Sequence, residues 1–485
     1  MSTKERKTRS VFRDDAEALA ALRPKRSWER NMQGNTLPAS AVRFTRRRSQ
    51  ATVLLLDSST TRRFSRLALV AAIALASTLS SLPDSARAQT AGLQEQALGL
   101  QEALAKTLEH NKELAAFEHR LEEQEGRLEQ AGLVPNPELH LALEDVAGSG
   151  SYKGFDGAQT MLSLEWVLER RIRKRRVGAA EARSASLVSD AEILRLDVAA
   201  ETAQRFLTSL ASQARLGRAD EAVSLAEDTV VAVKRRVRAG KAPGAELMRA
   251  EAALATTALA REDVTHELSA SYHRLAAQWG EIEPGFARVS GDLLTLPTTE
   301  SFASLTERIE QNPQLTRFVS EARVAQADLR LAEARRWPTL RPTLGVRRYE
   351  ATDDTALVAE LKIPLPLFSR NQGRVSESRA ALARTRADAD AARVRVHASL
   401  FVLYEELQHH FHRANTLRDE IIPRLTKALE GTRRGYEQGR YSYFEWRSVQ
   451  AELLETRNEL VEASTGAHRL VIALERLTGE RVTRP

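Results

Sequence analysis

The chain has 485 residues, 5% aromatic side chains and no cysteine, with Ala, Leu, Glu and Arg dominating long stretches. That mixture reads as long helices with thin, small-residue interfaces, and the lack of thiols excludes a disulfide framework, a thiolate metal site, a nucleophilic Cys and a lipid anchor on an N-terminal Cys. The net charge of +7 sits at one end: residues 1–60 hold 13 Lys/Arg against 6 Asp/Glu and residues 61–88 hold four against one, so residues 89–485 carry −3 and a nucleic-acid-binding role for the main body loses its support.

Residues 1–60 are Arg-rich and aperiodic. They read either as a disordered basic arm or as sequence upstream of the true translation start, with Met32 the only methionine between Met1 and the next segment. In 61–88, Arg62, Arg63 and Arg66 precede an apolar run over 67–79, and Ala86-Arg-Ala88 precedes Gln89. A charged n-region, a short h-region and an A-x-A site predict a secretory signal peptide, and the run is too short for a comfortable membrane span.

Beyond Gln89 a unit of about 200 residues occurs twice. Leu108-Glu-His-Asn-Lys-Glu-Leu114 recurs as Ile309-Glu-Gln-Asn-Pro-Gln-Leu315, Val134-Pro135 as Trp337-Pro338, and Arg236-Val-Arg-Ala-Gly240 as Gly435-Tyr-Glu-Gln-Gly439. The repeats are placed at 89–296 and 297–485. The join at 280–299 holds Pro284, Gly285, Gly291 and Pro297, the chemistry of a linker.

Each repeat reads as helix, two strands, very long helix, sharp turn, helix. The first helices, 93–132 and 301–336, stop at Pro135 and Pro137 and at Pro338 and Pro342, because proline cannot continue the ladder and pushes the preceding residue into an extended conformation. Period-2 alternation follows. Leu139, Leu141 and Leu143 share one face, as do Leu162, Leu164, Trp166 and Leu168, then Leu344 and Val346, then Leu357, Ala359, Leu361, Ile363 and Leu365. Apolar on one face and polar on the other, such segments fit transmembrane strands, with small soluble hairpins as the alternative. Four strands cannot close a barrel in lipid, whereas three chains pooling them supply 12. The long helices, 172–238 and 374–438, run about 65 residues, or about 100 Å at the α-helical rise. Pro423 predicts a bend in the second that the first lacks. The turns after them, 239–244 and 438–442, make Gly240, Lys241, Gly244, Gly439, Arg440 and Ser442 the candidate contact residues, with Glu246 and Glu445 suiting the first turn of each returning helix.

Catalytic motifs are missing: there is no phosphate loop, dinucleotide fingerprint or nucleophile elbow, and no cofactor is expected. His409, His410 and His412 with Glu405 and Glu406 offer i,i+4 pairs that suit a divalent cation, but adjacent histidines point to different faces, so a solvated or inter-helix role competes. The basic run Arg170-Arg-Ile-Arg-Lys-Arg-Arg176 at the strand-to-helix junction is either solvated or faces headgroups at a membrane boundary.

With these features in place, the chain resembles the TolC family of outer-membrane efflux proteins over about 95–480. The segment Leu361-Lys-Ile-Pro-Leu-Pro-Leu-Phe-Ser-Arg-Asn-Gln-Gly373 is similar to the branch serving cobalt–zinc–cadmium pumps (CzcC-type), and Glu333-Ala-Arg-Arg-Trp-Pro338 and Gly435-Tyr-Glu-Gln-Gly439 also match family patterns. Where relatives show a Gly-Gly-Lys-Arg-like turn in the first repeat, this chain has Glu169-Arg-Arg-Ile-Arg-Lys-Arg175. The resemblance implies a mainly α protein with a small transmembrane β part. It would form a homotrimer with a 12-stranded barrel in outer-membrane lipid and a periplasmic helical tunnel, no enzymatic activity, and two turns that meet a periplasmic adaptor. An inner-membrane proton-driven pump supplies the energy in that picture. The competing expectation is a periplasmic coiled-coil adaptor or scaffold.

Overall fold

The computed structural model describes residues 97–298, 300–310 and 312–479; the basic extension 1–60 and the signal segment 61–88 lie outside the described residues. The first repeat comprises β1 (Ala97–Gly99), α1 (Leu100–His110), α2 (Lys112–Gly132), β2 (Glu138–Glu144), β3 (Gln159–Glu165), α3 (Arg170–Arg238) and α4 (Gly244–Ala276), and β4 (Arg288–Ser290) follows in the join. The second comprises α5 (Phe302–Ile309), α6 (Pro313–Ala334), β5 (Arg341–Tyr349), β6 (Asp354–Lys362), α7 (Gln372–Thr416), α8 (Ile422–Glu437) and α9 (Tyr443–Thr478).

The single first helix expected in each repeat is two helices, broken at Asn111 and at Asn312. These are the asparagines of the repeated motif, and they do the same work. The Asn111 side-chain oxygen accepts from Glu113 N at 2.9 Å and Leu114 N at 3.2 Å, while its amide donates to Gln278 O at 2.8 Å. Asn312 caps α6 through Gln314 N and donates to Leu477 O. An asparagine at the cap satisfies orphan helix donors, and its amide ties the break to the end of the last helix in its own repeat. Asn312→Ala is expected to cost about 2 kcal/mol, about 1 from the cap and about 1 from the lost donor. Asn312→Ser, which keeps an acceptor for the cap without the amide donor, should recover about half in denaturant titration of the detergent-solubilised protein; equal losses would refute this division of roles.

β2, β3, β5 and β6 form one antiparallel sheet in that order, with Leu139 opposite Leu164, Leu164 opposite Leu344 and Leu344 opposite Ala359. At Gly345 the strands come so close that a Cβ would run into Ser163 and Leu162 O, which explains a glycine in a strand interior. β6 stops at Lys362, so Ile363 and Leu365, expected to continue the alternation, lie beyond it; Pro364 and Pro366 end the ladder. The helices adjoining the strands keep the strand order, α2 on α3, α3 on α6 and α6 on α7. A parallel pair, β1 with β4, was not expected: three residues on each side, Ala97 opposite Arg288, are too short to leave a period.

α3 runs unbroken for 69 residues. The second long run is interrupted by a π-helical stretch, Leu417–Ile421, directly before Pro423, which stands in the first turn of α8. A π turn is a common way to absorb a helix irregularity, and it realises the expected asymmetry between repeats. Cores are thin. Leu305, Ile309, Leu400, Leu407 and Leu474 pack α5, α7 and α9 together, and Leu98, Phe206, Leu275, Trp279 and Val289 pack the equivalent place in the first repeat. Elsewhere small side chains such as Ala179, Ala211, Ala232, Ala463 and Ser464 are buried at the helix contacts, allowing close approach over a long distance.

Candidate functional site

The sheet presents two different faces. Leu139, Leu141, Leu162, Leu164, Leu344, Val346, Leu357 and Leu361 all lie on one side by the strand register, and all are exposed, Leu141 at 73% and Leu357 at 90%. Contiguous exposed leucine on this scale marks a surface made for another apolar phase. Among the described residues no helix is long and apolar enough to cross a membrane. The opposite face is polar. There Glu165, 5% exposed by side chain, accepts from Lys362 Nζ and Arg341 Nη1, both at 3.2 Å, and Arg347 donates to Gln159 at 3.2 Å.

The polar face also holds the one grouping among the described residues with the donor set of a metal site: Glu138, His140 and Glu165, whose ligating atoms lie within 4.8 Å of one another. Because two cations already satisfy Glu165, the arrangement is first a cross-strand ion network. The sequence-predicted histidine group sits elsewhere, on α7. His409, His412, Glu405 and Glu406 are exposed, the His409 and His410 rings are 6.1 Å apart, and His410 lies on Gly466 of α9, where a Cβ would strike its ring. His410 therefore packs two helices together, and the five residues are not gathered around one point.

At the other end of the long helices the two turns meet. Gly240 and Gly439 have φ of +66° and +80°, a region that favours glycine, and each follows the last turn of its helix as a C-terminal stop. Ser442 and Glu445 form a reciprocal capping box at the start of α9. Gly240, Lys241, Gly244, Gly439, Arg440 and Ser442 are all exposed. Beneath them lies a lock between the repeats. Tyr436 is 2% exposed and stacks on Trp446 at 5.1 Å. The Arg236 guanidinium lies 4.6 Å over the Tyr436 ring, donates to Tyr436 O and to Lys241 O at 3.0 Å. The Tyr436 hydroxyl donates to Glu246 at 2.9 Å. Burial, and then the Glu246 carboxylate, push the phenol well above its ordinary range, so it stays a donor at any physiological pH. Sequence reasoning placed Arg236, Gly435 and Tyr436 in a repeated motif and Glu246 in a first turn, but did not join them. The signal that pointed to them was the offset alone.

The family profile described as outer membrane efflux protein matches residues 103–281 and again 305–480. The chain belongs to the outer membrane efflux protein family. The family consists of channel proteins, which are not enzymes, located in the Gram-negative outer membrane and reaching into the periplasm. Among curated relatives, this efflux protein is 25% identical over 382 residues to the cobalt-zinc-cadmium resistance protein CzcC of Cupriavidus metallidurans, covering 79% of this chain and 90% of that one. Among solved structures it is similar to CusC, with a TM-score of 0.65 at 16% identity over 79% of this chain and 92% of that one. It is also similar to the outer membrane protein VceC of Vibrio cholerae, with a TM-score of 0.62 at 18% identity over 79% and 96%.

The segment that carried the resemblance has a mechanical job in this efflux protein. Arg370 donates its backbone N–H to Gln372 Oε1 at 2.7 Å and its side chain to Pro366 O at 3.3 Å, and Gln372 donates to Phe368 O at 3.2 Å. Asn371, at φ +57°, donates to Ala332 O at 2.7 Å. Together they turn the chain out of β6 into α7 and pin that corner to α6.

Proposed function

We propose that three copies of this chain close their sheets into a 12-stranded barrel and their helices into a periplasmic tunnel. The efflux protein then passes divalent heavy-metal cations outward, as the outer-membrane member of a tripartite system with a periplasmic adaptor and an inner-membrane proton-driven pump. The observation that carries the reading is the four-stranded sheet whose apolar face is wholly exposed and whose edge strands, β2 and β6, have no further strand beside them among the described residues. An open edge in lipid leaves backbone groups unpaired, and joining each β6 to a neighbour's β2 removes every edge. The metal assignment is supported by the relative named for cobalt, zinc and cadmium resistance.

The exposed tips are the adaptor contacts in this reading: Gly240, Lys241 and Gly244 on one turn, Gly439, Arg440 and Ser442 on the other. Met248 and Phe444, both 73% exposed, stand just inside the returning helices and add apolar area to that surface. His409, His410, His412, Glu405 and Glu406 are left with a packing and solvation role. Deleting the gene is expected to sensitise cells to zinc, cobalt and cadmium while leaving tolerance to organic toxicants unchanged. Unaltered metal tolerance with new drug sensitivity would overturn the substrate, and a monomer released by osmotic shock in place of a heat-resistant, detergent-extracted trimer would overturn the channel.

A further inference from the structure

The members of the basic run at the start of α3 divide into two groups. Arg176 is committed: it pairs with Glu169 at 2.8 Å and donates to Ala131 O and Leu133 O at 2.9 and 3.0 Å, tying α3 to the end of α2. Arg171 lies 4.9 Å over the Trp337 ring. The other four, Arg170, Arg173, Lys174 and Arg175, line a groove of about 710 Å³ together with Arg330 of α6, and Glu181 is the single carboxylate among its lining residues. None of the five cations has an ion-pair partner among the described residues. Gly132 and Gly178 also line the groove, and a Cβ at either would meet nothing within 4 Å, so there is room between the helices. Five cations against one acid repel one another unless an anion joins them.

The groove's level in the molecule says which anion. It opens directly after β3, where the exposed leucine face ends. At that corner Leu168 bridges Leu340, Trp337 is 60% exposed and Phe368 is 92% exposed, with Leu365 and Leu367 also exposed. From the strands toward the helices the surface therefore runs apolar, then aromatic, then cationic. A bilayer presents hydrocarbon, interface and phosphate in the same order.

We propose that the groove between α2, α3 and α6 binds the phosphate headgroup of an anionic phospholipid in the periplasmic leaflet of the outer membrane. The arginines supply paired donors to phosphate oxygens and Lys174 a point charge. The bound lipid fixes the depth at which the barrel sits. This rests on the membrane location and not on the cargo.

Full-length protein purified in detergent, offered vesicles of phosphatidylglycerol or of phosphatidylcholine, tests it by native mass spectrometry. The expected result is salt-sensitive retention of phosphatidylglycerol over phosphatidylcholine. Each cation removed should weaken it about fivefold, so that Arg170→Gln, Arg173→Gln, Lys174→Gln and Arg175→Gln combined abolish the preference. Glu181→Gln should tighten retention by a similar factor, a gain that damaged folding cannot produce. Equal retention of the two lipids by the unaltered protein, or a preference untouched in both variants, would overturn the proposal. So would displacement of the lipid by millimolar inorganic phosphate, which would make the groove a soluble-anion site. A combined variant that loses capture of the adaptor but keeps its lipid preference would reassign the groove to a protein partner.

Discussion

Leu357→Arg is expected to remove most of the protein from the assembled outer-membrane fraction. The side chain is 90% exposed in the single chain, and in a water-soluble protein a substitution at such a site falls within about 0.5 kcal/mol of neutral. On the lipid face of a barrel an arginine near the midplane costs about 2–4 kcal/mol, and each protomer of an oligomer bears it. Leu357 pairs with Val346 within the β5–β6 ladder, its side chain on the leucine face and not along the strand edge that meets a neighbour. Val358→Thr, on the polar face of the same strand, should leave assembly unchanged. Heat-resistant oligomer extracted from outer membranes is the measurement. Normal yield from Leu357→Arg would mean that the leucine face meets protein or water and not lipid.

The second large effect is expected at the tips. Tyr436→Ala removes a buried ring stacked between Arg236 and Trp446, a change worth about 3–5 kcal/mol for an aromatic in a packed site. It also leaves Glu246 without its donor. The damage should stay local, because the nearest core cluster holds only Ala232, Val233, Ala250, Tyr443 and Trp446 besides Tyr436. Amide exchange over 229–250 and 429–450 is expected to rise by orders of magnitude while α2 and α6 are unaffected, and conductance in planar bilayers should increase if the lock holds the tunnel closed. Tyr436→Phe keeps the stack and should cost only about 1 kcal/mol. Unchanged exchange at the tips in Tyr436→Ala would show that Arg236 and Trp446 hold the turns by themselves.

These two sites differ in how readily they could be read beforehand. The sheet was legible because a membrane strand writes its environment into a period of two, and Leu139 to Leu143 and Leu357 to Leu361 obey it with few interruptions. The long helices were legible because little punctuates them, and the turns because Gly240 and Gly439 occupy conformations that favour glycine. The Tyr436 lock was not, since its partners Arg236 and Glu246 lie about 200 residues away and pairing at that distance leaves no local pattern. The breaks at Asn111 and Asn312 were visible only as a repeated motif. An asparagine inside an apolar helical period weakens the helix reading slightly, and what decides the break is a tertiary partner, Gln278 O or Leu477 O. The β1–β4 pair failed for a simpler reason: three residues cannot establish a period. The histidine group left two roles open because spacing along one helix cannot say what faces it; His410 lies against Gly466 of α9, a neighbour that no local period announces.

The open edges of the sheet carry a genetic consequence. A chain that cannot complete its own barrel depends on its neighbours for backbone partners, so its stability is inseparable from protomer supply. A defective copy that still offers intact β2 and β6 edges is drawn into mixed rings. With equal expression and random mixing in threes, only about one ring in eight contains no defective chain. Faults at the tips, far from the edges, should therefore act dominantly over a normal copy. Faults that destroy an edge should be recessive, because such chains never enter a ring.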